Sequence, residues 1–164
     1  KQGALEKVEV RLNLAKELPL VRGDSGQLQQ VFTNILMNAL QALPTPPPEG
    51  DRSQAVVPNR KITLQTQFFE GREESFAPQP PLPGPFVRIQ IADTGKGIHQ
   101  EDMNKIFDPF FTTKPTGEGT GLGLYIVSGI LKNYGARYHL DSTVGQGTQF
   151  LIDFPLSEGR KSLS

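Results

Sequence analysis

Val8, Val10, Leu12 and Leu14 alternate with Glu9, Arg11 and Asn13, and this period of two predicts a half-buried strand. Beyond a turn around Pro19 the period changes. In GDSGQLQQVFTNILMNALQAL the apolar positions Leu28, Val31, Phe32, Ile35, Leu36, Ala39, Leu40 and Leu43 recur at steps of three and four, which predicts a long helix with one buried face. Asp24 followed by Gln27 reads as a variant capping box at its start. The stretch 44–59 is proline-rich and aperiodic, a loop that ends the helix. KITLQTQFF and FVRIQIAD alternate as strands, and the proline, glycine and charge of EGREESFAPQPPLPGP between them predict a long hairpin loop. From Asp93 to Gly119 the chain reads mostly as loop, with one helical turn near Asp102 to Phe107. A helix is predicted from about Gly121 to Tyr134, with Leu122, Ile126, Val127, Ile130 and Leu131 inward and Gly135 as its C-terminal stop. RYHLDS and TQFLIDF around TVGQG form a last hairpin. This order predicts an α+β two-layer sandwich, a mixed sheet of about five strands with about three helices on one face. Residues 1–164 read as a single domain with loop insertions at about 44–59 and 70–85.

Composition narrows the function classes. The 164 residues suffice to bury a core without covalent staples. There are no cysteines, so disulfides and thiolate metal sites are excluded. Seventeen basic residues balance seventeen acidic ones and no block of like charge stands out, so neither a nucleic-acid nor a membrane surface is indicated. No apolar run approaches the roughly 18 residues of a membrane span, and KQGALEKVEV lacks signal-peptide architecture. The chain is expected to be cytoplasmic, and any membrane anchor would belong to a longer parent.

Four stretches carry candidate chemistry. At about 100° per residue, Gln27, Gln30, Asn34, Asn38 and Gln41 fall in one sector of the first helix, and no charged residue lies between Ser25 and Leu43. These amides are either plain surface polarity or oxygen donors facing a hard cation such as Mg²⁺. DTGKGI follows a strand directly. It is either an Asx turn or a fixed carboxylate acceptor, backed by glycine, for a flat ligand that donates an N–H, such as an adenine amino group. In FDPFFTTK three phenylalanines are expected to pin a segment to the body and carry Lys114 at its tip. GEGTGLGL leads into a helix start, whose orphan N–H groups suit an anion, the alternative being a flexible linker. It is neither a Walker loop nor a dinucleotide fingerprint.

Together, in order and spacing, these stretches resemble the ATP-binding catalytic domain of sensor histidine kinases, the Bergerat-fold group shared with gyrase-type, MutL-type and heat-shock chaperone ATPases. QVFTNILMNALQA is similar to the N box, DTGKGI to the G1 box, FDPFFTTK to the F box, GEGTGLGL to the G2 box and GQGTQF to the closing turn. The F-box wording is similar to that of nitrogen-regulation-type kinases in particular. The resemblance implies that the chain binds Mg-ATP and donates the γ-phosphate to a histidine on a separate dimerisation and phosphoacceptor domain, with a response regulator downstream. It implies that Asn38 coordinates Mg²⁺, that Asn34 faces the same phosphates, and that Asp93 accepts from adenine. Gly95, Gly97, Ile98 and Thr148 would shape the base pocket. The loop at about 102–119 would be the ATP lid, with Phe110, Thr112, Thr113, Lys114, Gly119, Thr120, Gly121, Leu122 and Gly123 closing on the nucleotide.

Two departures bear on mechanism. Many relatives carry a cation three residues after the metal-binding asparagine, where this chain has Gln41, so the cation is expected from Lys114 or a partner. The only histidines are His99 and His139, neither in a phosphoacceptor setting, so the acceptor is expected on another domain. A nucleotide-gated ATPase or interaction module is the alternative. Gyrase-type relatives place a general-base glutamate where Asn34 stands, so a hydrolase would lack its base. A serine kinase acting on an anti-sigma-type partner is a third reading.

Overall fold

A computed structural model describes residues 8–45, 59–70, 84–115, 117 and 119–156. Both loop insertions therefore lie largely outside the described residues, as do Thr116 and Glu118 within the expected lid. Five strands and two helices follow in the order β1 (Glu9–Asn13), α1 (Ser25–Ala42), β2 (Lys61–Phe69), β3 (Phe86–Asp93), α2 (Gly123–Asn133), β4 (Arg137–Thr143) and β5 (Gly147–Pro155). They form one mixed sheet in the order β1-β2-β3-β5-β4, with β1 parallel to β2 and every other pair antiparallel. Both helices lie on one face, α1 packing against α2, β3 and β5. Val31, Ile35, Ala39, Val127, Ile130 and Leu131 meet Ile91, Phe150, Ile152 and Phe154 there, apolar area whose removal from water holds the two layers together.

The ends of α1 and α2 follow from local chemistry. The Asp24 carboxylate accepts from the Gln27 N–H at 2.9 Å, satisfying an orphan donor of the first turn. The second half of the capping box is relayed: the Asp24 N–H donates to the Tyr134 hydroxyl at 3.0 Å, which donates to the Gln27 side chain. α2 stops in a Schellman arrangement, with Gly135 at φ 64°, its N–H on Lys132 O at 3.0 Å and the Ala136 N–H on Leu131 O at 3.0 Å.

Four expectations are corrected. Two helices are described, not three. Residues 100–107 are a run of turns in which one bond, Ile106 N–H to Asp102 O at 3.1 Å, has helical spacing. α2 begins at Gly123 because Gly121, at φ 68°, has left the right-handed helical region. β1 is exposed along its whole length, Leu12 at 60%, because it lies at the sheet edge while α1 covers β3 and β5. Leu40, assigned to the buried face of α1, is likewise exposed. On the sheet face away from the helices, Asp153 is fully buried. Its carboxylate takes Arg88 through two bonds of 2.7 and 3.0 Å, and Arg137 at 3.0 Å. These three residues sit directly opposite one another on β3, β5 and β4.

Candidate functional site

The C-terminal half of α1 is the spine to which the other motifs attach. The Asn34 side-chain N–H donates to Gly123 O at 3.3 Å, so the first turn of α2 is tied to α1. One turn on, Asn38 is half-buried on the same side of the helix. Gln41 accepts a hydrogen bond from the Lys114 ammonium. Ala42 O accepts the Lys96 N–H at 2.9 Å, and a Cβ at Gly95 would fall 2.6 Å from that oxygen. DTGKGI therefore lies against α1 backbone with no room for a side chain. The amide stripe divides by partner: Gln27 is engaged with Tyr134 at the helix start, whereas Asn34 meets Gly123 and Gln41 meets Lys114.

Asp93 ends β3, directly opposite Thr148 on β5. Its carboxylate accepts the Gly95 N–H at 2.8 Å and a backbone bond from Thr148. Burial pushes its pKa above the ordinary aspartate value, and the two backbone bonds oppose that rise. Gly147 makes the crossing possible: at φ 120°, a Cβ there would sit 1.9 Å from Asp93 O. Gly97, at φ 72°, lies against Thr143 O in the same way, and the Gly145 N–H on Lys96 O at 2.8 Å closes the β4–β5 turn over the G1 stretch.

Ser142 is a residue that the sequence reading missed. Its hydroxyl takes the Ile98 N–H at 2.9 Å, donates to Gly147 O at 3.0 Å and lies 2.9 Å from the Thr148 hydroxyl. Either hydroxyl can donate in that last contact. Ser142 thus locks Ile98 and Thr148 at the floor of the site. Its place follows from the hairpin register, Ser142 opposite Thr148, and counting back across TVGQG would have found it.

In the expected lid, Phe107 and Phe111 pack on the core, as pinning requires. Phe110 does not: it is 74% exposed at φ 66°, its N–H on Gly121 O at 3.0 Å. The Gly121 backbone sits so close that a Cβ would meet the Phe110 carbonyl carbon at 2.3 Å, which turns the phenylalanine outward. Thr112 Oγ1 accepts the Lys114 N–H at 3.1 Å, and Thr120 Oγ1 accepts the Leu122 N–H at 3.3 Å. Thr112, Thr113 and Thr120 are exposed, while Gly119, Leu122 and Gly123 are half-buried. His99 is exposed at the lid base, and His139 on β4 contacts Asp141 at 3.0 Å. Asp93 with Thr148 and the Gly119–Gly123 turn are thus linked through α1, by Gly95 against Ala42 and by Asn34 to Gly123.

A family model described as histidine kinase-, DNA gyrase B- and HSP90-like ATPase matches residues 23–158. Sensor kinase CckA of Brucella abortus (strain 2308) is 38% identical over 90% of this chain and 14% of its own length. Sporulation kinase A of Bacillus subtilis (strain 168) is 29% identical over 94% of this chain and 21% of its own. The chain thus spans about a fifth or less of these curated relatives. Among solved structures, the nucleotide-free catalytic domain of histidine kinase ThkA superposes with TM-score 0.62 at 26% identity, over 92% of this chain and 80% of that one. Full-length ShkA in complex with AMPPNP superposes with TM-score 0.66 over 94% of this chain and 27% of that one; at 24% identity it shows the fold.

Proposed function

The chain belongs to the histidine kinase-, DNA gyrase B- and HSP90-like ATPase family, and from that premise we propose that it binds Mg-ATP and donates the γ-phosphate to a histidine on a separate dimerisation and phosphoacceptor domain, a response regulator taking it on. The observation that carries the reading is the Asp93 corner: a carboxylate held by Gly95 and Thr148 at a strand end, with α1 backbone against Gly95 and the β4–β5 turn against Gly97. Its remaining acceptor capacity suits the adenine amino group, and Gly95, Gly97, Ile98 and Thr148 frame the base. The bond from Asn34 to Gly123 brings the α1 amides to the start of α2, where unpaired N–H groups and the helix dipole favour phosphate.

Asn38 would hold the metal. Neutral amide oxygens are hard donors suited to Mg²⁺, and among the described residues no group of three or more His, Cys, Asp or Glu is placed to hold a cation. Held there, a Mg²⁺ ion would supply positive charge against the phosphates. Phosphoryl transfer then asks the chain mainly for positioning: Asp93 fixes the base, the amides orient the phosphates, and the lid from about 102 to 119 excludes water. Asn34, an amide engaged with Gly123, offers no general base, which favours transfer over the alternative of a nucleotide-gated hydrolase.

Calorimetric titration tests the reading. Asp93→Asn is expected to weaken ATP by at least about tenfold with the fold kept, since the charged acceptor is replaced. Unchanged affinity would sink the adenine assignment. Asn38→Ala is expected to abolish the difference between ATP titrations with and without Mg²⁺, and a preserved difference would remove the metal role. Transfer of labelled γ-phosphate to a relative's phosphoacceptor domain, supplied as a separate chain, tests the kinase step.

A further inference from the structure

Gln41 lies three residues beyond Asn38, one turn further along α1. Its amide oxygen accepts the ammonium of Lys114, a lid residue 73 positions away. The lysine is set from both ends. Its N–H is held by Thr112 Oγ1 at 3.1 Å, and the Gly119 backbone lies over its stem, where a Cβ would come within 3.0 Å of Lys114 Cδ. The first glycine of the run 119–123 thus rests on the lysine whose head is fixed to the asparagine-bearing helix.

We propose that Gln41 is a positioning residue that seats the Lys114 ammonium beside Asn38, so that the site's phosphate-facing cation is supplied by the lid and held by a neutral amide. This rests on the reading that ATP phosphates lie between α1 and the lid. The amide is suited to the task. It orients an ammonium through a charge–dipole hydrogen bond yet leaves the positive charge intact, whereas a glutamate would cancel that charge and repel polyphosphate, and a lysine would repel Lys114. Gln41 is exposed, where such a bond adds little stability. Its contribution is therefore to where the charge sits.

The test titrates the 164-residue chain with Mg-ATP and with adenosine. Lys114→Gln and Gln41→Glu are each expected to weaken ATP by about tenfold while adenosine is unchanged, because only the phosphate end loses its cation. The exchange Gln41→Lys with Lys114→Gln moves the cation one hydrogen-bond length and is expected to restore ATP to within about threefold of the parent. An exchange variant no better than Lys114→Gln, or an unchanged Gln41→Glu, overturns the proposal. Failure of the underlying reading looks different: the parent would bind no ATP, or Asp93→Asn would bind it as the parent does.

Discussion

At position 147 a side chain is excluded by the carbonyl oxygen of Asp93, so the residue that carries the candidate adenine contact is packed from behind by backbone. That packing has an energetic cost. Asp93 is kept above its ordinary pKa by burial, against the pull of its two backbone bonds, and a raised carboxyl favours its neutral form in the fold. Its stabilising contribution is therefore complete at pH below the unfolded-state value and is lost as pH rises through the carboxylate range to the folded value. Asp93→Asn is accordingly expected to resist urea at least as well as the parent at neutral pH, the gap closing as the solution is acidified below that range. A variant less stable than the parent at neutral pH, with a gap that does not change on acidification, would show that the carboxylate serves the fold and not a ligand. ATP affinity should also decline on acidification earlier than an ordinary aspartate would allow, since a ligand N–H prefers the ionised acceptor.

Among the elements, β2 and β3 were legible to the residue because an alternating run is bounded by turn chemistry on both sides, and α1 because Asp24 caps a long amphipathic run. The third helix was not legible correctly: one bond of helical spacing in a run of turns differs little, as a pattern, from a short helix. The candidate site residues stand out as motifs, but their mutual contacts depend on which backbones meet. Asn34 on Gly123, Lys114 on Gln41, and Ser142 beneath Ile98 and Thr148 follow from tertiary register, not from period. The proposed lid carries a prediction of its own. Residues 102–115 are joined largely by turn bonds, and such segments open at low free energy. Hydrogen exchange in residues 102–115 and 119–123 is expected to slow when a non-hydrolysable ATP analogue and Mg²⁺ are added, while β1 is unaffected. Equal slowing in β1, or none in the lid, would mean that the glycine run does not close on phosphate.

For the whole molecule, the layered core and the buried Asp153 between Arg88 and Arg137 fasten β3, β5 and β4 together, and the sheet then runs out to an edge that no alternation could foretell. Val8 to Leu14 read as half-buried because apolar and polar positions alternate, but burial needs a covering layer, and α1 is spent on the middle of the sheet. The consequence is colloidal. A five-residue strand exposed along its length, with Val10 and Leu12 uncovered on an edge position, is a template for another chain. The sequence has a formal net charge of zero at pH 7 and a pI of about 7.0, so at neutral pH no mutual repulsion keeps copies apart. Light scattering of concentrated solutions is expected to show self-association greatest near neutral pH and falling toward either side. Leu12→Lys should abolish it and leave ATP affinity as it was, which would make the edge, and not the nucleotide end, the part of this molecule that limits how crowded a solution it tolerates.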